Sequence, residues 1–212
     1  MKKGKFIVFE GINACGKGTQ ISLLQSHIRS LGKAVPLFLT GEPNGFDENG
    51  KKAREMLSSD GDPYQNAVEA VGYFAKNRIS HQEYINWNIG RGITVLSDRY
   101  WHSNFAFQHV QEVSYEDIAN ANRGSRVPDL TLLLDVSLDV ALERLDGRDG
   151  EERRKFDSDG DFLNKARNNY FELSRVLPEL IGDNSIVVID GNRTPEKVFE
   201  DIRKAYDSLW TP

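Results

Sequence analysis

The stretch FIVFEGINACGKGTQ, from Phe6 to Gln20, decides the fold of this chain of 212 residues. It opens with four apolar residues, which are enough for a short buried strand. A loop follows, in which four residues separate Gly11 from Gly16 and Lys17 comes directly after. Glycines let the backbone amides of such a loop turn toward phosphate oxygens, and the next helix presents its positive end. The stretch therefore predicts a phosphate-binding loop.

The residues of this loop are candidate ligands for nucleoside triphosphate. Its backbone amides would surround the phosphate oxygens, and the Lys17 ammonium adds a point charge at the β- and γ-phosphates. The common pattern has Ser or Thr directly after the lysine, but here Gly18 intervenes before Thr19. We expect Thr19 to reach a magnesium ion, directly or through water. The predicted loop ligands are Gly11, Ile12, Asn13, Ala14, Cys15, Gly16, Lys17, Gly18 and Thr19.

Five short apolar runs predict the strands of a sheet. Four of the runs are continuously apolar rather than alternating, as expected for strands covered on both faces. The run at 34–40 contains Pro36, which cannot donate a ladder hydrogen bond and therefore favours an edge position. The predicted strands are Lys5–Glu10, Ala34–Thr40, Ile93–Asp98, Leu130–Asp135 and Ser185–Asp190.

Segments with helical spacing lie between these runs. In the longest, Val68, Phe74 and Ile79 are expected on the apolar side. Because strands and helices alternate, we predict an α/β fold of the P-loop NTPase type, a five-stranded parallel sheet with helices on both faces, in one domain over residues 1–212. Ligands of such sheets bind beyond the carboxyl ends of the strands. The predicted helices are Lys17–Leu31, Asn66–Ile89, Leu138–Leu145, Asp161–Ile181 and Glu196–Leu209.

The composition excludes several classes of protein. The 27 basic and 32 acidic residues give a formal net charge of −5, whereas nucleic-acid-binding proteins usually carry a basic field. No apolar run approaches the length of a membrane helix or a signal peptide. The single cysteine, Cys15, excludes a disulfide within the chain. We therefore expect a cytoplasmic protein with neither nucleic acid nor membrane as a partner.

Two pairs of residues suggest further parts of a site. Asp98 and Arg99 end the third predicted strand, where a carboxylate can hold magnesium, directly or through water, and a guanidinium can clamp a phosphate. Asp98 also fits a helix N-cap. Phe74 and Arg78 lie one helical turn apart, so the ring can stack on a base and the guanidinium can bond its edge. By itself, such a pair is more often a core phenylalanine beside a surface arginine.

In order and spacing, seven segments of the chain resemble the thymidylate kinases over essentially its whole length. They are FEGINACGKGTQ, TGEPNG (Thr40–Gly45), GKKAREML (Gly50–Leu57), YFAKNR, DRYWHSNFAFQ (Asp98–Gln108), PDLTLLLD (Pro128–Asp135) and ALERLDGR (Ala141–Arg148). The resemblance implies a homodimeric kinase that transfers the γ-phosphoryl group of ATP to dTMP with Mg²⁺, giving dTDP and ADP in dTTP synthesis. It also implies a helix over Gly50–Leu57.

The resemblance assigns roles in a dTMP site. Phe74 would stack on the thymine ring, and Arg78 would bond a base carbonyl. Asn104 would read the N3 edge of the base, and Phe107 would lie against the deoxyribose and exclude a ribose 2′-hydroxyl group. The implied dTMP-binding residues are Glu42, Pro43, Arg54, Phe74, Arg78, Arg99, Ser103, Asn104, Phe107 and Gln108.

Catalysis of phosphoryl transfer requires alignment of the substrates and positive charge over the transferred group. Lys17 would meet the γ-phosphate, while Arg99 and Arg54 would hold the acceptor phosphate. Some thymidylate kinases carry a further catalytic arginine in the phosphate loop and others in a lid. This loop has no arginine, so the resemblance places that charge in a lid at about 147–160.

Three arginines are the candidates for the lid charge: Arg148, Arg153 and Arg154. Four acidic residues interleave with the basic ones, so the segment also fits a solvated, salt-bridged loop. Arg144, which precedes the lid, would lie near the adenine of ATP.

The chain departs from the family pattern at two positions and leaves two alternatives open. Asn13 replaces the usual Asp or Glu, and Gly41 replaces an arginine common in bacterial relatives. One alternative is a kinase for another monophosphate, such as dUMP or dCMP. The other is a nucleotide-binding regulatory protein without an acceptor, although the guanine-reading Asn-Lys-x-Asp motif does not occur in the sequence.

Overall fold

The computed structural model describes residues 3–31, 36–58, 66–147 and 159–210, without the side chain of Ser58. Its centre is a sheet of five parallel strands. The strands are β1 (Phe6–Glu10), β2 (Leu37–Gly41), β3 (Thr94–Asp98), β4 (Leu130–Asp135) and β5 (Ile186–Asp190). Their spatial order is β2-β3-β1-β4-β5, so the sequence-predicted parallel sheet is confirmed.

Eight helices of the described ranges surround the sheet. Because parallel crossovers are right-handed, the reversal of strand order after β2 places α1 on one face and the helices between the later strands on the opposite face. The last helix, α8, packs against α1. The helices are α1 (Lys17–Ser30), α2 (Glu48–Ser58), α3 (Ala67–Gly90), α4 (Trp101–Val110), α5 (Tyr115–Ala121), α6 (Leu138–Asp146), α7 (Gly160–Ile181) and α8 (Pro195–Ser208). The sequence analysis identified neither α4 nor α5.

The core fills both sides of the central strands. Every residue of β1 is buried, and so are the first five residues of β4. At the margin, Pro36 directly precedes the edge strand β2, as predicted. The expectation of full cover was wrong for β5, where Val187 and Val188 are 38% and 45% exposed. The reason is position, because β5 is the other edge strand and has a neighbour on one side only.

The apolar side of α3 also differs from the prediction. Val68 is 76% exposed and Ile79 is 49% exposed, whereas Phe74 is buried. Val68 and Ile79 are eleven residues apart, about three helical turns, so they share one side of the helix. Phe74 lies on the side that faces the protein. Within the described ranges, no helix is both long and apolar enough to cross a membrane.

The strand register brings the ends of three strands together. Gly41 at the end of β2 pairs with Asp98 at the end of β3, and Asp98 pairs with Phe9 of β1. The loops that follow these strands therefore leave the sheet side by side at its carboxyl edge. Most of the sequence-predicted site residues lie in these loops or in the helices that they start.

Candidate active site

Close packing shapes the loop between β1 and α1. Gly11 has a φ of +135°, and a Cβ atom there would lie 2.4 Å from the carbonyl oxygen of Leu134. Gly16 has a φ of +101° directly before α1 begins. A side chain at Gly11 would push the loop away from β4, so glycine is required there. The loop and the first turn of α1 together present backbone amides suited to an anion.

Lys17 lies across this loop. Its ammonium Nζ donates hydrogen bonds to the carbonyl oxygens of Gly11 and Ile12, both at 3.2 Å, and lies 3.5 Å from Sγ of Cys15. The side chain is buried, so the charge is held at the loop rather than spread into solvent. Thr19 is exposed on the first turn of α1.

Arg144 joins the phosphate loop to the connection between β5 and α8. Its Nη2 donates to the carbonyl oxygen of Gly191 at 3.0 Å. Its Nη1 lies 3.4 Å from the carbonyl oxygen of Ala14 and 3.5 Å from that of Cys15. The structure thus places Arg144 beside the candidate ATP-binding loop, although 130 residues separate Arg144 from Ala14 in the sequence. Its contact with adenine stays a prediction.

Arg99 lies at the centre of the carboxyl edge. It has a φ of +70°, an unusual value outside glycine, directly after β3. Its Nη1 donates to Gly11 O at 3.2 Å, to Ser103 Oγ at 3.0 Å and to Tyr170 OH at 3.2 Å. Nη2 donates to Oδ1 of Asn13. Arg99 therefore connects the phosphate loop to α4 and α7.

Burial works against the charge of Arg99, but Tyr170, Glu10 and Asp98 outweigh it and raise the pKa of the guanidinium. The nearest of these carboxylates, Oε2 of Glu10, lies 3.9 Å from Nη1. Arg99 consequently carries a full positive charge beside the phosphate loop at every pH at which the protein is folded.

Glu10 is a residue of this cluster that the sequence analysis missed. It is fully buried at the end of β1. Its Oε1 accepts from the backbone N–H groups of Tyr100 and Ser103, and its Oε2 accepts from Ser103 Oγ and Tyr170 OH, both at 2.8 Å. One available signal was the charged residue that ends an otherwise apolar strand. Tyr170 on α7 carried no comparable signal.

Nine of the ten implied dTMP-binding residues line one cavity, which we call the inner cavity. Phe74 and Phe107 form its aromatic walls, and both are 7% exposed. The tenth residue, Arg54, lines an adjoining outer cavity. The nine residues of the inner cavity are Glu42, Pro43, Phe74, Arg78, Arg99, Ser103, Asn104, Phe107 and Gln108.

Arg78 is held from several sides at the wall of the inner cavity. It is 1% exposed, so the interpretation as a surface arginine is wrong. Its Nε donates to Oε2 of Glu42 at 2.6 Å, and its Nη1 donates to Oδ1 of Asn104 at 2.7 Å and to Oδ1 of Asn122. Among the residues that the structure describes, Nη2 has no hydrogen-bond partner. That amino group is therefore the part of Arg78 available to a ligand.

Glu42 links the loop after β2 to α3. Besides the bond from Arg78, its Oε1 lies 3.1 Å from Nδ1 of His81, and Nε2 of His81 lies 2.9 Å from Oγ1 of Thr40. The Glu42 and Arg78 side chains are 2% and 1% exposed. A buried charge of this kind is tolerated when it is paired with an opposite charge and hydrogen-bonded to it, as Glu42 is to Arg78. The pair fixes the position of the Glu42–Pro43 segment against α3.

A chain of side-chain amides completes the wall of the inner cavity. Nδ2 of Asn104 donates to Oε1 of Gln108, and Nε2 of Gln108 donates to Oε1 of Gln111, both at 3.1 Å. Because Oδ1 of Asn104 accepts from Arg78, the direction of the whole chain is set. Arg78, Asn104, Gln108 and Gln111 therefore form one connected network.

The outer cavity opens beside Arg99 and carries Arg54 and Asp98 on its walls. Nη2 of Arg54 donates to the carbonyl oxygen of Pro43 at 2.7 Å. Asp98 is not the N-cap of α4, because that helix begins at Trp101 and Tyr100 occupies the cap position. Oδ1 of Asp98 is buried and has no partner among the described residues. A buried carboxylate oxygen without a donor fits a bound cation.

The predicted lid at 147–160 lies almost entirely outside the described residues, which end at 147 and resume at 159. Arg148, Arg153 and Arg154 fall in that range, so their roles stay predictions. The other predicted site residues lie in the phosphate loop and around the two cavities. These three parts of the site adjoin one another at the carboxyl edge of the sheet.

Comparison with known proteins agrees with this arrangement. The family model described as "Thymidylate kinase" matches residues 9–202. The thymidylate kinase of Carboxydothermus hydrogenoformans is 32% identical over 212 residues, which cover 98% of each chain. The thymidylate kinase of a Sulfurihydrogenibium species is 35% identical over 196 residues, which cover 89% of each chain.

A solved structure shows the same fold at lower sequence similarity. The thymidylate kinase of Candida albicans has 22% sequence identity, with a TM-score of 0.76 over 97% of this chain and 92% of that one. The family model and the full-length relatives establish more than the fold. The chain belongs to the thymidylate kinase family, the kinases that phosphorylate dTMP to dTDP.

Proposed function

We propose that this protein transfers the γ-phosphoryl group of ATP to dTMP with the thymine in the inner cavity and the acceptor phosphate between the inner and outer cavities. The observation that carries this proposal is the convergence of nine implied dTMP-binding residues on one cavity. These residues come from the loop after β2, from α3, from the connection between β3 and α4, and from α4 itself. Only the folded chain brings them together.

The base would lie against the ring of Phe74. Arg78 lines the inner cavity, and its Nη2 group, which has no partner among the described residues, would donate to a base carbonyl oxygen. Phe107 packs near the rings of Phe162 and Tyr170, with centroids 6.2 Å away in both cases. A ring held in this way cannot readily move aside for a ribose 2′-hydroxyl group, which supports selection of a deoxyribonucleotide.

Arg99 would align the acceptor phosphate with the phosphate loop. Its guanidinium already contacts Gly11 and Asn13 of the loop and Ser103 in the lining of the inner cavity. It therefore lies between the two substrates, where it can bond the acceptor and stabilise the charge of the transferred group. Lys17 would hold the γ-phosphate from the opposite side, and a lid arginine would add the remaining charge.

Magnesium fits the carboxyl edge. The buried Oδ1 of Asp98, which has no partner in the described part of the chain, would offer a hard oxygen ligand, directly or through water. Thr19 would supply a hydroxyl group from the phosphate loop. When bound, the ion would neutralise charge on the ATP phosphates. Asn13 is in place of the usual acidic residue, and its amide oxygen is engaged by Arg99. Asn13 thus positions Arg99 rather than supplying a charge.

A turnover panel tests this proposal. Purified protein is incubated with ATP, Mg²⁺ and one of dTMP, dUMP, dCMP, UMP or dGMP, and ADP formation is followed. We expect the highest kcat/KM with dTMP and a lower one with UMP than with dUMP. Greater turnover of another monophosphate would reassign the acceptor. Tight ATP binding with no turnover on the panel would favour the regulatory alternative.

We also propose that the protein works as a cytoplasmic homodimer. Supporting this, the exposed side of α3 carries Val68, Ile79 and Trp87, which are 76%, 49% and 53% exposed. Apolar residues clustered on one side of a helix suit contact with a second copy. Light scattering should therefore give a dimer mass for the wild type and a monomer mass for Ile79→Glu. A monomeric wild type at micromolar concentration would contradict the dimer.

A further inference from the structure

Three of the five N–H donors of Arg78 are engaged by protein atoms, and the acceptors differ in kind. Nε donates to the carboxylate of Glu42, and Nη1 donates its two hydrogens to the amide oxygens of Asn104 and Asn122. Because a guanidinium is planar, acceptors at Nε and Nη1 fix both its position and its plane. They thereby also fix the direction in which Nη2 points.

Asn122 differs from the other two acceptors in its location. Glu42 and Asn104 line the inner cavity, whereas Asn122 does not. Asn122 is 3% exposed and follows the last residue of α5. A ligand that engages Asn104 would compete with Arg78 for that amide. Because Asn122 is not part of the cavity lining, we expect it to keep its bond to Nη1 when a ligand is bound.

The orientation of the Asn122 amide is set by its own helix. Its Nδ2 donates to the carbonyl oxygen of Ile118 at 2.8 Å, so the amide oxygen has to face Arg78. Rotating the amide would place a donor against the guanidinium and break both bonds. The polarity of the contact is therefore unambiguous, and Asn122 acts on Arg78 only as an acceptor.

We propose that Asn122 is a positioning residue, which holds Nη2 of Arg78 in line with a carbonyl oxygen of the pyrimidine and thereby favours bases with a 4-carbonyl group over those with a 4-amino group. This inference rests on the proposed function. An amino group opposite Nη2 would set donor against donor, and that penalty depends on a guanidinium that cannot turn away. Without Asn122 the guanidinium can rotate about its remaining contacts, so the discrimination weakens.

The experiment compares kcat/KM for dTMP and dCMP in the wild type and in Asn122→Leu, which removes the acceptor at similar volume. We expect the dTMP-to-dCMP ratio to fall at least about tenfold, through a higher KM for dTMP, with kcat changed less than about threefold because the base is remote from the reacting phosphates. Asn122→Asp keeps an oxygen toward Arg78, and its ratio should stay within about threefold of the wild type.

Asn88→Leu is the matched control. Asn88 is also a buried asparagine whose Nδ2 donates to the carbonyl oxygen four residues earlier, at 2.8 Å, but it does not line the inner cavity. It should lose stability as Asn122→Leu does and keep the wild-type substrate ratio. If Asn122→Leu does not fold, Asn122→Ser removes the same acceptor with a smaller side chain.

An unchanged ratio in a folded Asn122 variant, with dTMP still the substrate of the wild type, would overturn the positioning role alone. An equal fall of the ratio in Asn88→Leu would overturn it as well, since the effect would then follow from lost stability. A wild type that does not phosphorylate dTMP would overturn the proposed function and this inference together.

Discussion

Replacing His102 by leucine tests a buried ion pair that lies behind the candidate active site. Nε2 of His102 lies 2.9 Å from Oδ2 of Asp183, and the two side chains are 1% and 0% exposed. On its other side, Nδ1 of His102 lies 3.8 Å from Oε1 of Glu10. Burial raises the pKa of Asp183, but the hydrogen bond and charge of His102, with hydrogen bonds from Ser185, outweigh it and lower the pKa to about 2.

The size of the effect follows from that pKa. A decrease from 3.8 to about 2 corresponds to about 2 kcal/mol of folding free energy, at about 1.4 kcal/mol per pKa unit. Because the pKa is lower in the folded protein, the stabilisation is complete above about pH 4 and is lost as the pH falls toward 2. About 1 kcal/mol of it should be gone at pH 3.

The assay is urea unfolding of the wild type and His102→Leu at pH 5 and pH 3. We expect the variant to be less stable at pH 5 by at least about 2 kcal/mol, with the difference about 1 kcal/mol smaller at pH 3. Histidine in the unfolded protein is protonated at both pH 3 and pH 5. The change in the stability difference between these two pH values is therefore attributed to the titration of Asp183. The charge on Glu10 also faces His102, and a direct carboxyl NMR titration of Asp183 separates the two carboxylates.

His109→Leu provides the control for lost packing. His109 lies on the same helix, where its Nδ1 contacts the carbonyl oxygen of Val113 and its ring stacks on Tyr115 at 3.9 Å, and no ion pair to it occurs among the described residues. The loss in free energy of unfolding caused by His109→Leu should be the same at pH 5 and pH 3. A pH-independent difference for His102→Leu as well would refute the reasoning.

Three further predictions concern the site. Arg99→Ala should lower kcat/KM for dTMP at least about a thousandfold with an unchanged circular dichroism spectrum, and near-normal kcat/KM would exclude its positioning role. The guanidinium NMR chemical shifts should change strongly at Arg99 and weakly at Arg78 when dTMP binds. The reason is that Arg78 is already hydrogen-bonded to a carboxylate, whereas Arg99 is not. Joint replacement of the three lid arginines, Arg148, Arg153 and Arg154, should reduce kcat more than about tenfold. An unchanged kcat would show that the lid adds no catalytic charge.

The order of strands and helices could be predicted because buried parallel strands are continuously apolar and glycine-bearing loops separate them from helices. The sequence pattern could not reveal α4 and α5. Both lie in 101–121, where the two helices contact α3, α7 and each other, so apolar residues occur on several sides and leave no clear helical stripe. The exposure of Val187 could not be predicted either, because a continuous apolar run has the same sequence pattern in an edge strand as in a central strand.

The candidate site also contains residues that could be predicted from the sequence and residues that could not. Asp98 and Arg99 could be predicted because they lie at the end of a strand, and parallel topology brings strand ends together. Lys17 could be predicted because it follows the glycine loop between β1 and α1. Tyr170 and Asn122 could not, because each reaches the site through a contact between segments that are far apart in sequence. Tyr170 meets Glu10 across 160 residues, and Asn122 meets Arg78 across 44. No local pattern encodes such a pairing.

The acidic net charge of the chain is compatible with carboxylates confined to the surface and cations alone in the site. The structure shows otherwise, because Glu10 and Glu42 are both buried there. They hold the two central arginines differently. Glu42 bonds Arg78 directly at 2.6 Å, whereas Glu10 stays 3.9 Å from Arg99 and acts through Ser103 and Tyr170.

This difference matches the tasks of the two arginines. A base edge is neutral and offers one or two hydrogen bonds, so the residue that reads it gains from being fixed before the ligand arrives. A phosphate is charged and can displace neutral acceptors, so Arg99 gains from partners that it can exchange. A carboxylate bound directly to Arg99 would compete with the acceptor phosphate. A carboxylate that acts through intervening hydroxyl groups, as Glu10 does, keeps the guanidinium in place and leaves its charge available to the substrate.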